Sequence, residues 1–188
     1  PTGIYAEIRN LSNLRIQTQE EITRIKNRIA RWFSIYFPEI KDVYRNPDAV
    51  SGLMVIKQAT LPCDIKELGV NGVNKIWRDA RLKGAGIKRA TTLVTAAEHS
   101  IGNTEAPRSA RKEIRNLLND YETYKNRMDE LMQEIKETLS EIPYIDKLME
   151  INGIGIKTVS CFIAEVGDIG RFDNPKQVQK LAGYAIVA

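Results

Sequence analysis

Apolar residues recur along the first part of the chain in alternating steps of three and four. The positions are Ile8, Leu11, Arg15, Thr18, Ile22, Ile25, Ile29, Trp32 and Tyr36. Seven of the nine are apolar, with Arg15 and Thr18 as polar breaks. This heptad seam predicts one long helix. The helix should stop at "FPEI", because Pro38 disfavours helical backbone at Phe37. The rhythm returns at Ile114, Leu118, Tyr121, Lys125, Met128, Met132, Ile135, Leu139 and Ile142, broken only at Lys125. That predicts a second long helix over 107–141, ended by Pro143. Two seams of similar length suggest an antiparallel coiled-coil arm. A coiled-coil homodimer is equally allowed, since the pattern alone does not choose the partner.

Between the seams, over 46–105, lie segments too short for an arm. "NPDAVSGLMVIKQAT" opens with Asn46 as a plausible cap and Pro47 at the first helical position. "LPCDIKELG" should stop at Gly69, and "VNGVNKIWRDARLKGAG" at Gly84 and Gly86. "IKRATTLVTAAEHSIGNTEAP" should end in a turn-rich linker. Alternation is rare and β-branched runs are short, so strands are not expected. The expected fold is all-α. Residues 1–143 form a long arm with short distal helices as its tip, and 144–188 form a small helical domain with a helix-hairpin-helix-like turn.

Composition narrows the class. The chain has 188 residues, 43% hydrophobic and 28% charged, as a globular protein would. The net charge is +4 and the pI about 9.0, which is compatible with nucleic acid. Cys63 and Cys161 are far apart and fit neither a zinc site nor a disulfide framework, so a reducing cytoplasm is expected. No apolar run is long enough to span a membrane. The start "PTGIYAEIRNL" and the apolar end "GYAIVA" suggest a piece of a longer protein. Charge is unevenly placed. Residues 75–115 hold ten Lys or Arg against four Asp or Glu, whereas 116–150 hold four against nine. The basic part, with Arg111, Lys112 and Arg115 at the start of the second long helix, suits phosphate contacts. Solvated helix faces account for it equally well, because Trp77 is its lone aromatic and a weak stacking signal.

The chemistry concentrates in "EINGIGIKTVSCFIAEVGDIGRF". Leu148 and Met149 precede a glycine turn, and Val159, Phe162 and Ile163 follow it. This reads as helix, tight turn, helix, sealed by apolar residues. Gly153 and Gly155 permit positive φ and close approach of a backbone. The amides that open the next helix form its positive end. Lys157 and Thr158 add a cation and a hydroxyl. Gly153, Ile154, Gly155, Lys157 and Thr158 are therefore the candidate phosphate grip. A plain connecting turn is the simpler alternative, and the Lys and Thr tip the balance against it.

Other chemistries are poorly served. His99, the single histidine, follows Glu98 at the end of an Ala-rich helix and suits a surface or capping role. Ser160 and Cys161 have no base nearby in sequence and suit packing. Glu165 and Asp168 could share a divalent ion, but solvation or capping of the next turn is the better reading. No catalytic residue and no metal ligand is assigned.

The hairpin resembles the helix-hairpin-helix, whose usual wording is near "PGIGPKTA". Asn152 replaces its Pro and Val159 its small residue. More widely, "LMEINGIGIKTVSCFIAEVGDIGRFDNPKQVQKLAGYAIV" closely resembles the carboxy-terminal domain of the IS-one-ten family of bacterial insertion-sequence transposases. The pattern positions are Glu165, Gly167, Asp168, Ile169, Arg171, Phe172, Gln177, Ala182 and Gly183. "RIKNRIARWFSIYFPEI" also looks like that family's coiled-coil entry. The resemblance implies a DNA recombinase with a RuvC-like domain holding divalent metal on four acidic residues, and a nucleophilic serine shortly after the "A-G" pair. It also implies a bridging guide RNA. Neither catalytic part aligns with this sequence. The expectation is thus a transposase fragment that dimerises and contacts DNA or guide RNA but is inactive alone, with no cofactor of its own. A stand-alone helix-hairpin-helix module and a helical scaffold without nucleic acid are the alternatives.

Overall fold

A computed structural model describes residues 2–181, and they are all-α. The helices are α1 (Ile4–Tyr36), α2 (Ile40–Val43), α3 (Val50–Gln58), α4 (Pro62–Asp79), α5 (Ile87–Glu98), α6 (Pro107–Ser140), α7 (Ile145–Met149), α8 (Ile156–Val166) and α9 (Pro175–Leu181). A 3-10 turn (Ile169–Arg171) separates α8 from α9. Among the described residues there is no strand. The chain divides into two compact units. A central unit comprises Glu21–Tyr124, and a terminal unit comprises Pro1–Glu20 with Lys125–Ala188.

In the central unit the seam residues Ile25, Ile29 and Trp32 share a core with Ile114, Leu117 and Leu118. Trp32 and Trp77 are fully buried. A buried indole needs an acceptor, and each has one. Trp32 Nε1 donates to the Ala110 carbonyl at 3.0 Å, and Trp77 Nε1 to the Ser51 carbonyl at 2.8 Å. Trp77 is therefore a core residue and offers no stacking face. Asp48 holds three elements together. It pairs with Lys26 of α1 at 2.7 Å and accepts from the Tyr121 hydroxyl of α6 at 2.9 Å. Burial and this carboxylate push the Tyr121 hydroxyl up to about 12. The linker from 99 to 106 is pinned as well. Glu39 accepts from Ser100 Oγ at 2.6 Å and from the Ile101 N–H at 2.9 Å. Gly102 lies so close to α1 that a Cβ there would collide with the Tyr36 carbonyl.

Four local expectations shift. Asn46 and Pro47 do not open α3, which begins at Val50. They form a turn closed by Ala49 N–H to the Asn46 carbonyl, with Pro47 at the position its fixed φ suits. The ties on Asp48 hold that turn in place. Gly69 does break a helix, with φ 68° and ψ 174° inside α4, but the helix resumes after it. α4 ends at Asp79, ahead of Gly84. Leu82 N–H bonds the Trp77 carbonyl and Arg81 N–H the Arg78 carbonyl, closing the helix with Arg81 at φ 53°. That is a Schellman ending with an arginine where glycine is usual. In the second seam Lys125 is exposed, and Tyr124 packs against the core in its place.

In the terminal unit Ile8 and Leu11 of α1 pack with Ile135 and Leu139 at the end of α6, with Ile142 just past it, and with Ile145, Val159 and Ile163. This core carries the α7–α8 hairpin. No helix among the described residues is long and apolar enough to cross a membrane.

Candidate nucleic-acid interface

The terminal unit builds the hairpin from two amphipathic helices. Val159, Ile163 and Val166 are buried on one face of α8, and Ile145 anchors α7. Met149 and Phe162, expected to seal the turn, are instead exposed, at 38% and 37%. Ile154 tucks against the core, and its N–H bonds the Ile151 carbonyl at 3.1 Å. That fixes the turn from behind.

Gly153 has φ +84°, a conformation that costs any side-chain-bearing residue energy. Gly155 is the residue before α8, with φ −110° and ψ 175°. A Cβ on either glycine would meet no other atom within 4 Å, so the outer side of the turn is open. The first N–H groups of a helix have no intrahelical acceptor, and Gly155 brings no side chain to cap them. The amides of Ile156, Lys157 and Thr158 are thus donors at the positive end of α8. The Lys157 and Thr158 side chains are exposed beside them. The five hairpin residues form one open, cationic, donor-rich turn.

The other candidates lie in the central unit. Arg111 is already engaged: Nη2 is 2.6 Å from Asp64 Oδ1 and Nε 3.2 Å from Oδ2. Lys112 and Arg115 are exposed on α6. The sequence offered no sign of the Asp64 partner, which is distant along the chain.

The remaining residues take structural roles. His99 caps α5, with Nδ1 2.9 Å from the Thr95 carbonyl. Ser160 is fully buried and its hydroxyl donates to the Lys157 carbonyl at 3.0 Å. Cys161 faces Arg15, with Nη2 3.4 Å from Sγ. That contact accounts for one polar break in the first seam. Asp168 caps the 3-10 turn, its Oδ1 accepting from the Gly170 N–H at 2.9 Å. Glu165 is exposed and lies 3.9 Å from Arg9. No three His, Cys, Asp or Glu side chains among the described residues gather as a metal site.

Sequence reasoning passed over two tyrosines. The Tyr144 hydroxyl accepts from the Ile169 N–H at 3.2 Å and donates to the Tyr5 hydroxyl at 3.3 Å. The Tyr5 hydroxyl is pushed well above its usual value by the bond with Tyr144, then by burial and by Asp168. Together they tie the start of α1 and the start of α7 to the "GDIGRF" loop. No local pattern could have signalled this, because the partners are far apart in sequence.

Residues 145–188 match the family described as Transposase IS116/IS110/IS902 family. The matched segment spans α7, the glycine turn, α8, the 3-10 turn and α9. Ala182 and Gly183, the last positions of the resemblance, lie outside the described residues. Neither a curated protein nor a solved structure matches the chain.

Proposed function

Because residues 145–188 match that transposase family, we propose that this chain is a nucleic-acid-handling part of an insertion-sequence transposase. It grips a phosphate backbone with the α7–α8 hairpin. The observation that carries the reading is the open Gly153–Gly155 turn, with uncapped amides next to exposed Lys157 and Thr158. Such a site recognises phosphate and ignores base sequence. DNA is the expected partner, and a guide RNA presents the same phosphates. Lys112 and Arg115 are available to extend the contact, whereas Arg111 is held by Asp64. Cleavage is assigned to parts of the transposase that this sequence does not align with, including its divalent metal. The protein is placed in the cytoplasm, where its DNA is.

Dimerisation through the heptad seam has weaker support. Ile8, Ile29 and Trp32 are already buried within one chain, so a dimer on that seam would have to open it.

The test is fluorescence anisotropy with a labelled DNA duplex over a salt series. Binding through phosphates must weaken steeply as salt rises. Lys157→Glu puts a carboxylate where a phosphate would sit and should weaken binding. Absence of binding at low salt would leave a helical scaffold, and metal-dependent cleavage by the chain alone would overturn the assignment of chemistry elsewhere.

A further inference from the structure

The glycine turn of the terminal unit has a counterpart in the central unit. "GAGIKRA" at 84–90 repeats "GIGIKTV" at 153–159, with glycine, glycine, isoleucine and lysine at the same places. The backbone repeats too. Gly84 has φ +77° where Gly153 has +84°. Gly86 precedes α5 in extended conformation as Gly155 precedes α8, and Ile87 and Ile156 each begin a helix. The inward faces stay in register: Ala90, Val94 and Ala97 are buried, as are Val159, Ile163 and Val166. A Cβ on Gly84 or Gly86 would meet nothing within 4 Å, so this turn is also open outward.

The surface around it is strongly charged. Lys75, Arg78, Arg81, Lys83, Lys88 and Arg89 are all exposed, against Asp79 alone over the same stretch. None of the six makes an ion pair with a described residue, although Arg89 lies 5.9 Å from the Tyr44 ring. Gly84, Gly86, Lys88, Arg89 and Thr92 line an open concavity there, with Asp42 as a carboxylate at its wall. Unpaired cations along two packed helices and the turn between them repel one another and lower that cost by meeting a polyanion.

We propose that this α4–α5 face is a second nucleic-acid docking surface, with the duplex DNA backbone as its occupant. Charge complementarity carries the inference, and the repeated turn shows where a backbone can come close. The inference rests on the reading of the chain as a nucleic-acid binder but uses residues of the other unit, so the two can fail separately.

The experiment measures anisotropy of a fluorescein-labelled DNA duplex across a salt series with the whole chain. It compares wild type, Lys83→Gln/Lys88→Gln and Lys157→Gln. All three lysines are exposed, and circular dichroism checks that each variant folds. The double variant should bind on the order of tenfold or more weaker at 0.1 M salt, and its log–log salt slope should flatten by about two. Wild-type affinity and slope in the double variant would overturn the proposal. An effect of Lys157→Gln alone would leave only the terminal hairpin standing, and an effect of the double variant alone would leave only this face. Co-flotation of the wild type with phosphatidylserine vesicles, without any duplex binding, would show a lipid partner and also overturn it.

Discussion

Arg111 forks onto Asp64: Nη2 lies 2.6 Å from Oδ1 and Nε 3.2 Å from Oδ2. The pair ties the N-terminal part of α6 to the first turn of α4, where the same carboxylate accepts the Leu61 N–H at 3.0 Å. Two parallel bonds from a planar guanidinium make a stiffer link than a lysine could. Both side chains are partly exposed, so the link is modest. Arg111→Ala should lower stability by about 1 kcal/mol, read as a loss in a chemical or thermal melt.

The same pair fixes a pH dependence. Burial alone would raise the Asp64 carboxyl, but the bonds from Arg111 and Leu61 and the guanidinium charge outweigh it and hold it below its ordinary value. A carboxyl lower in the folded state than in the unfolded one stabilises the fold above its unfolded value of about 3.9. That contribution is lost as pH falls through the folded value. The stability gap between wild type and Arg111→Ala should therefore be full at neutral pH and close progressively below about pH 4. A gap that stays constant into acid would mean the pair carries no such linkage.

Gly155→Asp separates stability from binding. Gly155 has extended backbone before α8 and no side chain over the free amides. Aspartate is at home in that position, and its carboxylate would accept from those amides. The variant should be more stable by roughly a few tenths of a kcal/mol, because glycine is itself a tolerated cap. It should also bind DNA more weakly than wild type, because the carboxylate occupies the donors proposed for phosphate. A variant that is more stable and binds normally would remove the amides from the interface.

Tyr144→Phe tests what holds the "GDIGRF" loop. The change removes the acceptor for the Ile169 N–H and the donor to Tyr5 in one step. Leaving a part-buried amide unpaired costs about 1–3 kcal/mol. The loss should be local first, so amide hydrogen exchange at Ile169 and its neighbours should speed up before the central unit responds. Uniform acceleration across both units would point to global destabilisation instead.

What the sequence disclosed follows physical range. The long helices, their proline ends and the break at Gly69 are written in local pattern, and the structure has them. The hairpin was legible because glycine spacing, helix start and Lys157 fall within a few residues. Arg111 read as a free cation because Asp64 lies in another helix. Tyr124 displaced Lys125 because a seam tolerates a one-residue shift when the better apolar neighbour is adjacent. Asn46 and Pro47 fit a helix start and a turn equally well, and only the ties from Lys26 and Tyr121 to Asp48 decide between them. The repeat at 84–90 was present in the letters. It was read only as a helix stop, because glycine punctuates a chain whether or not it also grips something.

Arg81 is the sharpest case of a local rule overridden, and it yields the last prediction. It sits at φ 53° in the closing position of α4, where an L side chain crowds the backbone. Glycine adopts that conformation without the clash. Nothing in the helix ending itself requires arginine, since Leu82 and Arg81 contribute only their N–H groups to it. The residue is also one of the six exposed cations of the α4–α5 face. Arg81→Gly should therefore move two observables in opposite directions. Stability should rise by about 1 kcal/mol as the strain is released, or about 2–4 °C in melting temperature for a chain of this size. DNA affinity should fall, with a salt slope flatter by about one phosphate contact. Gain in both would mean that arginine has no part in binding. Loss in both would mean that the side chain supports the helix ending through contacts beyond the backbone bonds.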